Sequence, residues 1–214
     1  MGQSFDYGVW RLMFITFEGG EGSGKSTQIK LLAERFESLG KPVVCTREPG
    51  GTPDGEAIRD LLVTGAAGRW SAEAETLLNY AARDNHLNKI IRPALADRKI
   101  VLCDRFMDST RAYQGYAGAC TLHLIDELER SIVGATRPSI TFIFDLDPVV
   151  GLERATKQGK GKEDRYERMG LTFHQRLRAG FLEIFAQNPE RCRLINATDS
   201  VEMVAQAIWK YVNG

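Results

Sequence analysis

The residues Gly19-Gly20-Glu21-Gly22-Ser23-Gly24-Lys25-Ser26 fit the spacing G-x-x-x-x-G-K-[ST] at every required position. Glycines let a backbone turn sharply and aim several N–H groups at one anion. A helix that starts where such a turn ends adds unsatisfied donors and a partial positive charge. The chemistry implied is capture of a nucleotide's phosphates. Lys25 would reach the β- and γ-phosphates, and Ser26 would ligate the Mg2+ that bridges them. The loop alone leaves open a GTPase switch, an ATPase motor and a small-molecule kinase.

Other charged residues fall at the ends of apolar runs. Asp104-Arg105 follows Lys99–Cys103 immediately. The acid can hold magnesium-bound water or orient an acceptor phosphate. The arginine can form a two-point fork with phosphate oxygens, although a salt bridge at the sheet edge is the plainer alternative. Arg47, within Thr46-Arg47-Glu48-Pro49-Gly50-Gly51-Thr52, is expected on the same rim, with Lys25 between the two arginines. Two arginines there suit an acceptor that brings its own phosphate. Such an acceptor is already anionic and needs no strong base, so positioning and charge neutralisation would carry the catalysis. Asp147 reads as a helix cap and Asp145 as structural. Residues 157–168 set five cations (Lys157, Lys160, Lys162, Arg165, Arg168) against Glu163, Asp164 and Glu167. With Gly159 and Gly161, this segment reads as a short lid that could close over a triphosphate and exclude water.

These residues need a scaffold, and the hydrophobic pattern supplies one. Short apolar runs at 12–17, 42–45, 99–103, 140–144 and 193–195 read as buried strands. Between them, three- and four-residue steps such as Ile29, Leu32, Phe36 and Leu39 mark helices. One long helix is expected from Ser71 to Ile91, ending before Pro93. Thr172 with Gln175, and Asp199 with Glu202, resemble capping boxes of the last two helices. Strands alternating with helices predict an α/β fold with a parallel sheet covered on both faces, whose ligands bind beyond the carboxyl ends of the strands.

The chain has 214 residues, 43% of them hydrophobic, with 28 basic and 28 acidic side chains. That composition supports a packed core, and the charge balance argues against a nucleic-acid partner. No apolar run approaches the length of a membrane span. Residues 1–11 lack the pattern of a signal peptide and read as a short extension before a single domain over 12–214. Cys45, Cys103, Cys120 and Cys192 form no metal-site spacing. Cys45 and Cys103 read as small hydrophobes within apolar runs. A reduced, cytoplasmic protein is the expectation. The absence of Asn-Lys-x-Asp and of Asp-x-x-Gly argues against a GTPase, and little chain remains for a motor's coupling domain.

From about Leu12 to Val212 the order of motifs resembles bacterial thymidylate kinase (dTMP kinase). The resemblance rests on Phe17–Thr27, Thr46–Thr52, Asp104-Arg105, Ser109-Thr110-Arg111-Ala112-Tyr113-Gln114-Gly115 and Asp164-Arg165-Tyr166-Glu167. It implies the P-loop nucleoside-monophosphate-kinase fold, with a five-stranded parallel sheet flanked by helices and a short lid. It also implies the reaction ATP + dTMP to ADP + dTDP, with Mg2+ as cofactor, for DNA precursor synthesis. Under it, Gly19, Gly20, Glu21, Gly22, Ser23, Gly24, Lys25, Ser26 and Thr27 surround the ATP phosphates. Arg47 and Arg105 hold the dTMP phosphate, and Asp104 orders magnesium through water. Glu21 reaches the 3'-hydroxyl, Arg83 bonds the thymine edge, Tyr113 packs beneath the deoxyribose, and Thr110 and Gln114 line the same pocket. Members usually carry a stacking phenylalanine four residues before that helix arginine. Here the position is Asn79, with Tyr80 beside it and Phe106 as a further aromatic candidate. Lysines occupy lid positions where arginines are common, which leaves Arg154 and Arg165 as catalytic candidates, Arg165 preferred. The family is commonly a homodimer, and Leu77 and Leu78 offer an apolar face that core burial would explain equally well. Two other readings stay open: a kinase for another deoxynucleotide or deoxynucleoside, and a P-loop regulator that binds ATP without phosphorylating a metabolite.

Overall fold

A computed structural model describes residues 13–158 and 163–213. The extension expected over 1–11, and residues 159–162 of the expected lid, lie outside the described residues. Five strands, β1 (Phe14–Gly19), β2 (Val43–Arg47), β3 (Ile100–Asp104), β4 (Ile140–Asp145) and β5 (Cys192–Asn196), form one parallel sheet in the order β2-β3-β1-β4-β5. The helices are α1 (Lys25–Ser38), α2 (Pro53–Val63), α3 (Ala72–His86), α4 (Arg92–Ala96), α5 (Met107–Thr110), α6 (Leu122–Leu128), α7 (Pro148–Gln158), α8 (Leu171–Gln187) and α9 (Val201–Asn213).

Side chains alternate across a strand, and the two faces of β1 show it. Ile15 and Phe17 pack with Ile29, Leu32 and Phe36 of α1 and with Val204, Ile208 and Val212 of α9. Phe14 faces the other way, against Tyr80, Leu87, Ile91 and Phe106. Further along that second face, Ile143 meets Tyr113, Leu177 and Phe181. Thr16 and Glu18 share the register of Phe14 and are fully buried. The Thr16 hydroxyl lies 2.8 Å from that of Thr141 on β4.

Several boundaries differ from the sequence pattern for identifiable reasons. The helix from Ser71 does not end before Pro93. After α3 it widens through Leu87–Ile91, where Arg92 N–H bonds the Leu87 carbonyl, and resumes as α4. Pro93 then stands in the first turn of the resumed helix, where its missing N–H costs nothing. Gly170, not Thr172, precedes α8, and no side chain caps it. The cap of α9 comes from Ser200, whose Oγ accepts from Met203 N–H at 3.3 Å, while Asp199 bonds Asn196. Asp147 does cap α7, accepting from Val149 N–H at 2.9 Å. Cys45 is exposed because β2 is an edge strand, so it is not the buried hydrophobe expected. Cys103, on β3 inside the sheet, is buried.

Candidate active site

The loop after β1 takes the conformation its glycines permit. Gly22 and Gly24 have φ of 65° and 88°. A Cβ on Gly22 would lie 2.2 Å from the Gly151 carbonyl oxygen on α7, so a larger residue would clash. Gly24 immediately precedes α1, which leaves the helix's first N–H groups for an anion. Lys25 Nζ is folded over the loop, donating to the carbonyls of Gly19 at 3.2 Å and Gly20 at 2.9 Å and to Ser23 Oγ at 3.1 Å. Ser26 Oγ donates to Asp104 Oδ2 at 2.7 Å, which joins the first turn of α1 to the end of β3. A hydroxyl and a carboxylate oxygen side by side are the hard donors Mg2+ takes together with water and substrate phosphates. Both line one cleft with Lys25, Arg47, Arg59 and Arg105.

Arg105 holds a φ of 67°, uncommon outside glycine. Its guanidinium donates to the Gly19 carbonyl at 2.7 Å, to Glu21 Oε1 at 2.8 Å and to Ser109 Oγ at 3.3 Å. The Tyr113 hydroxyl donates to the same Glu21 oxygen at 2.9 Å. Burial works against the charge of Arg105, but the acidic groups around it prevail and hold its pKa above the ordinary value. Beneath the turn, Glu18 Oε1 accepts from Phe106 N–H at 2.7 Å and Oε2 from the Ser109 hydroxyl at 2.5 Å. Burial and then the neighbouring Asp108 push its pKa up to about 7, against those hydrogen bonds and the attraction of Arg105.

A second cleft shares Glu21, Glu48, Arg59 and Arg105 with the first and encloses about 660 Å³, its open mouth included. Phe106, Asn79, Thr110, Tyr113, Gln114 and Tyr166 line it. Arg83 of α3, 2% exposed, donates through Nε to Glu48 Oε2 at 2.7 Å and through Nη2 to the Phe106 carbonyl and Thr110 Oγ1, both at 3.0 Å. Its Nη1 is buried and has no hydrogen-bond partner among the described residues. A buried donor is costly to leave unpaired, so this atom is a place for a ligand's acceptor. Gln114 Nε2 donates to Glu75 Oε2 at 2.9 Å, and Asn79 Nδ2 to the Glu75 carbonyl at 2.8 Å.

The model of the family described as thymidylate kinase matches residues 17–208. The chain belongs to the thymidylate kinase family. It is 54% identical over 195 residues to the thymidylate kinase of Caulobacter vibrioides, covering 91% of this chain and 93% of that one. It is 49% identical over 206 residues to that of a Bradyrhizobium species, covering 96% and 91%. The crystal structure of thymidylate kinase from Ehrlichia chaffeensis superposes with a TM-score of 0.77 at 38% identity, covering 94% of this chain and 98% of that one.

Most residues expected from the thymidylate kinase resemblance come together. Lys25, Ser26, Thr27, Arg47 and Asp104 line one cleft, Arg83, Thr110, Tyr113 and Gln114 the other, and Glu21 and Arg105 both. Three expectations need correction. Lys25 is not between the two arginines: β3 lies between β2 and β1, which puts Arg105 between Arg47 and Lys25. Tyr80 does not line the base cleft. It is 1% exposed in the core with Phe14, Leu87 and Phe106, and the aromatics that line the cleft are Phe106, Tyr113 and Tyr166. Arg165 does not approach the phosphate cleft. Its guanidinium is buried against the carbonyls of Leu62, Ala66 and Ala67, at 2.8, 3.0 and 2.8 Å, and pairs with Glu75. Arg154 is the lid-side arginine beside the P-loop: its Cβ would lie 3.0 Å from a Cβ on Gly22, and its Nη1 bonds the Ala197 carbonyl at 3.1 Å. Asp145 is held by Arg178 at 2.6 and 2.9 Å, a structural pair as expected.

The sequence reading gave no role to Arg59, Glu48 or His86. Arg59 lines both clefts and ties Pro49 to Glu163, bonding the Pro49 carbonyl at 3.1 Å and Glu163 Oε2 at 2.7 Å. Glu48 stood within the quoted Thr46–Thr52 string, and Arg59 and His86 carried no signal beyond helical spacing. Among the described residues no helix is long and apolar enough to cross a membrane.

Proposed function

We propose that this chain transfers the γ-phosphoryl group of ATP to dTMP, giving ADP and dTDP. The observation that carries this reading is Glu21. It stands in the P-loop, lines both clefts, and takes hydrogen bonds from Arg105, which also lines both, and from Tyr113 of the second cleft, so it joins the donor and acceptor sites. ATP lies along the P-loop, its phosphates held by the backbone N–H groups of Gly19–Thr27 and by Lys25. Arg154 faces the same nucleotide. The dTMP phosphate lies between Arg105 and Arg47, with Arg59 completing the rim. A phosphate oxygen of dTMP attacks the γ-phosphorus as the bond to the β-bridging oxygen breaks, and the electron pair leaves with ADP. The attacking oxygen is already anionic, so these cations hold the two phosphates in line, and no general base is required.

Ser26 and Asp104 fit Mg2+, the serine directly and the aspartate through water. When bound, the ion neutralises charge on the β- and γ-oxygens. At the base end, the unpartnered Nη1 of Arg83 donates to a keto oxygen of thymine. Thr110, Gln114 and Asn79 supply the remaining polar contacts, and Phe106 supplies the apolar wall. Tyr113 lies beneath the deoxyribose, where a 2'-hydroxyl would crowd its ring. The protein is a single domain with a lid, working in the cytoplasm, and a homodimer in which Leu77, 52% exposed on α3, contributes to the contact.

The deciding assay is ADP release from ATP and Mg2+ with dTMP, dUMP, dGMP, AMP or thymidine as acceptor. Turnover confined largely to dTMP is the expected result. Preference for another acceptor would move the base assignment, and ATP binding without acceptor-dependent turnover would remove the kinase reading.

A further inference from the structure

Arg83 is reached by a chain of buried hydrogen bonds that starts at the end of β2. Its Nε bonds Glu48 Oε2 at 2.7 Å. The other oxygen of that carboxylate lies 2.9 Å from His86 Nδ1, and His86 Nε2 lies 2.6 Å from the Thr46 hydroxyl. Arg83, Glu48 and His86 are 2%, 4% and 0% exposed. A carboxylate only accepts, so Nδ1 carries the proton of that bond, and the other ring nitrogen faces the Thr46 hydroxyl. Room for the imidazole is made by Gly51: a Cβ there would lie 2.6 Å from His86 Nε2 and 2.8 Å from Thr46 Oγ1.

We infer that His86 is a positioning residue for nucleobase recognition, acting through Glu48 on Arg83. The inference rests on the dTMP reading above. Its physical basis is competition for the guanidinium. Carboxylates favour a two-point fork on arginine. With one oxygen held by His86, Glu48 makes a single bond to Nε, and Nη2 is left for the Phe106 carbonyl and Thr110. Those contacts fix the plane of the guanidinium and leave Nη1 as its unpartnered donor. Without His86, the second carboxylate oxygen would be buried and unpaired. It would close on the guanidinium and draw Nη2 off Phe106 and Thr110, turning the donor away from the base. A donor-only group fixed in this way selects a pyrimidine with a keto oxygen over one with an amino group at the same position. Because Glu48 follows Arg47 directly, one turn at the end of β2 serves both the phosphate rim and the base.

The test is steady-state kinetics of wild type, His86→Leu, His86→Asn and Thr46→Val with dTMP, dCMP and ATP, each variant's thermal unfolding being measured as well. His86→Leu is expected to raise the KM for dTMP about tenfold, equivalent to about 1.4 kcal/mol. The dTMP-over-dCMP ratio of kcat/KM should fall by a similar factor, with little change in kcat or in the KM for ATP. His86→Asn keeps a donor for Glu48 and should recover most of the loss. Thr46→Val leaves the ring in place, should shift the KM for dTMP in the same direction by less, and carries the test if His86→Leu does not fold. Equal losses for dTMP and ATP, an unchanged KM for dTMP, or an asparagine no better than leucine would each overturn the inference. A wild-type protein that does not phosphorylate dTMP at all would overturn the underlying reading and the inference with it.

Discussion

Lys25 and Arg105 both bond the Gly19 carbonyl, yet the proposed reaction gives them different substrates. Lys25 also bonds Gly20 and Ser23, so its charge sits on the loop that takes the donor phosphates. Lys25→Ala should lower kcat by about two to three orders of magnitude, the usual loss when one charge-stabilising donor is removed. Near-normal turnover in the ADP-release assay would refute that role. Arg105 looks toward the acceptor through Glu21 and Tyr113. Arg105→Ala should raise the KM for dTMP much more than that for ATP, and equal losses would make it a structural arginine. The meeting of Lys25, Ser26, Asp104 and Arg105 in one cleft was legible in the sequence because each stands at or just after the end of a strand or in the phosphate loop. Glu48 and His86 were not: their bond joins residues 38 apart in the chain. Arg165 was misread for a related reason. A sequence shows its charge, but not the three carbonyls that surround it.

The C-terminal side of the lid is held by a buried arginine as well as by apolar packing of Tyr166 against Tyr113. Arg165 enters between α2 and α3, where it bonds the carbonyls of Leu62, Ala66 and Ala67 and the carboxylate of Glu75. Glu75 also accepts from the Tyr166 hydroxyl at 3.1 Å and from Gln114, both in the base cleft. Removing one partner of a buried pair typically costs about 3–5 kcal/mol, because the other is left uncompensated. Arg165→Ala should therefore lower stability to urea by about that much and weaken dTMP while sparing ATP binding in equilibrium titrations. A variant of unchanged stability that had lost only kcat would restore the catalytic assignment. Elements were legible where a pattern runs for two turns or more, as in α1 and α9. The short α5 and the wide turns at Leu87–Ile91, Arg111–Tyr116 and Glu129–Val133 were not. Helical spacing cannot register one extra residue in a turn, and four residues cannot show a period.

At the scale of the whole molecule, the sheet order sets both the meeting of the clefts and a dependence of stability on pH. Placing β3 beside β1 brings the Asp104-Arg105 turn against the P-loop, and it also encloses Glu18 under that turn, fully buried. The sequence predicted the parallel sheet but gave no reason to single out Glu18, which stands at an apolar position of β1. Burial and Asp108 raise its pKa to about 7 from the ordinary 4.5. Between those values the folded protein binds a proton that the unfolded chain has released. The contribution of Glu18 to stability is therefore most favourable below about pH 4.5, declines as pH rises toward 7, and is constant above it. At about 1.4 kcal/mol per pH unit, the decline totals about 3 kcal/mol. Glu18→Gln keeps an oxygen for Phe106 N–H and cannot ionise, so it should lack this decline. Urea unfolding of both proteins at pH 5, 6, 7 and 8 should show the variant gaining on wild type with each step up to about pH 7 and no further. A constant difference across that range would mean that Glu18 has the same charge in the folded and unfolded states. The same comparison bears on the site, because Glu18 holds the backbone of the turn that carries Arg105. If the charge of Glu18 sets that turn, the KM for dTMP in wild type should change over the same pH interval, and in Glu18→Gln it should not.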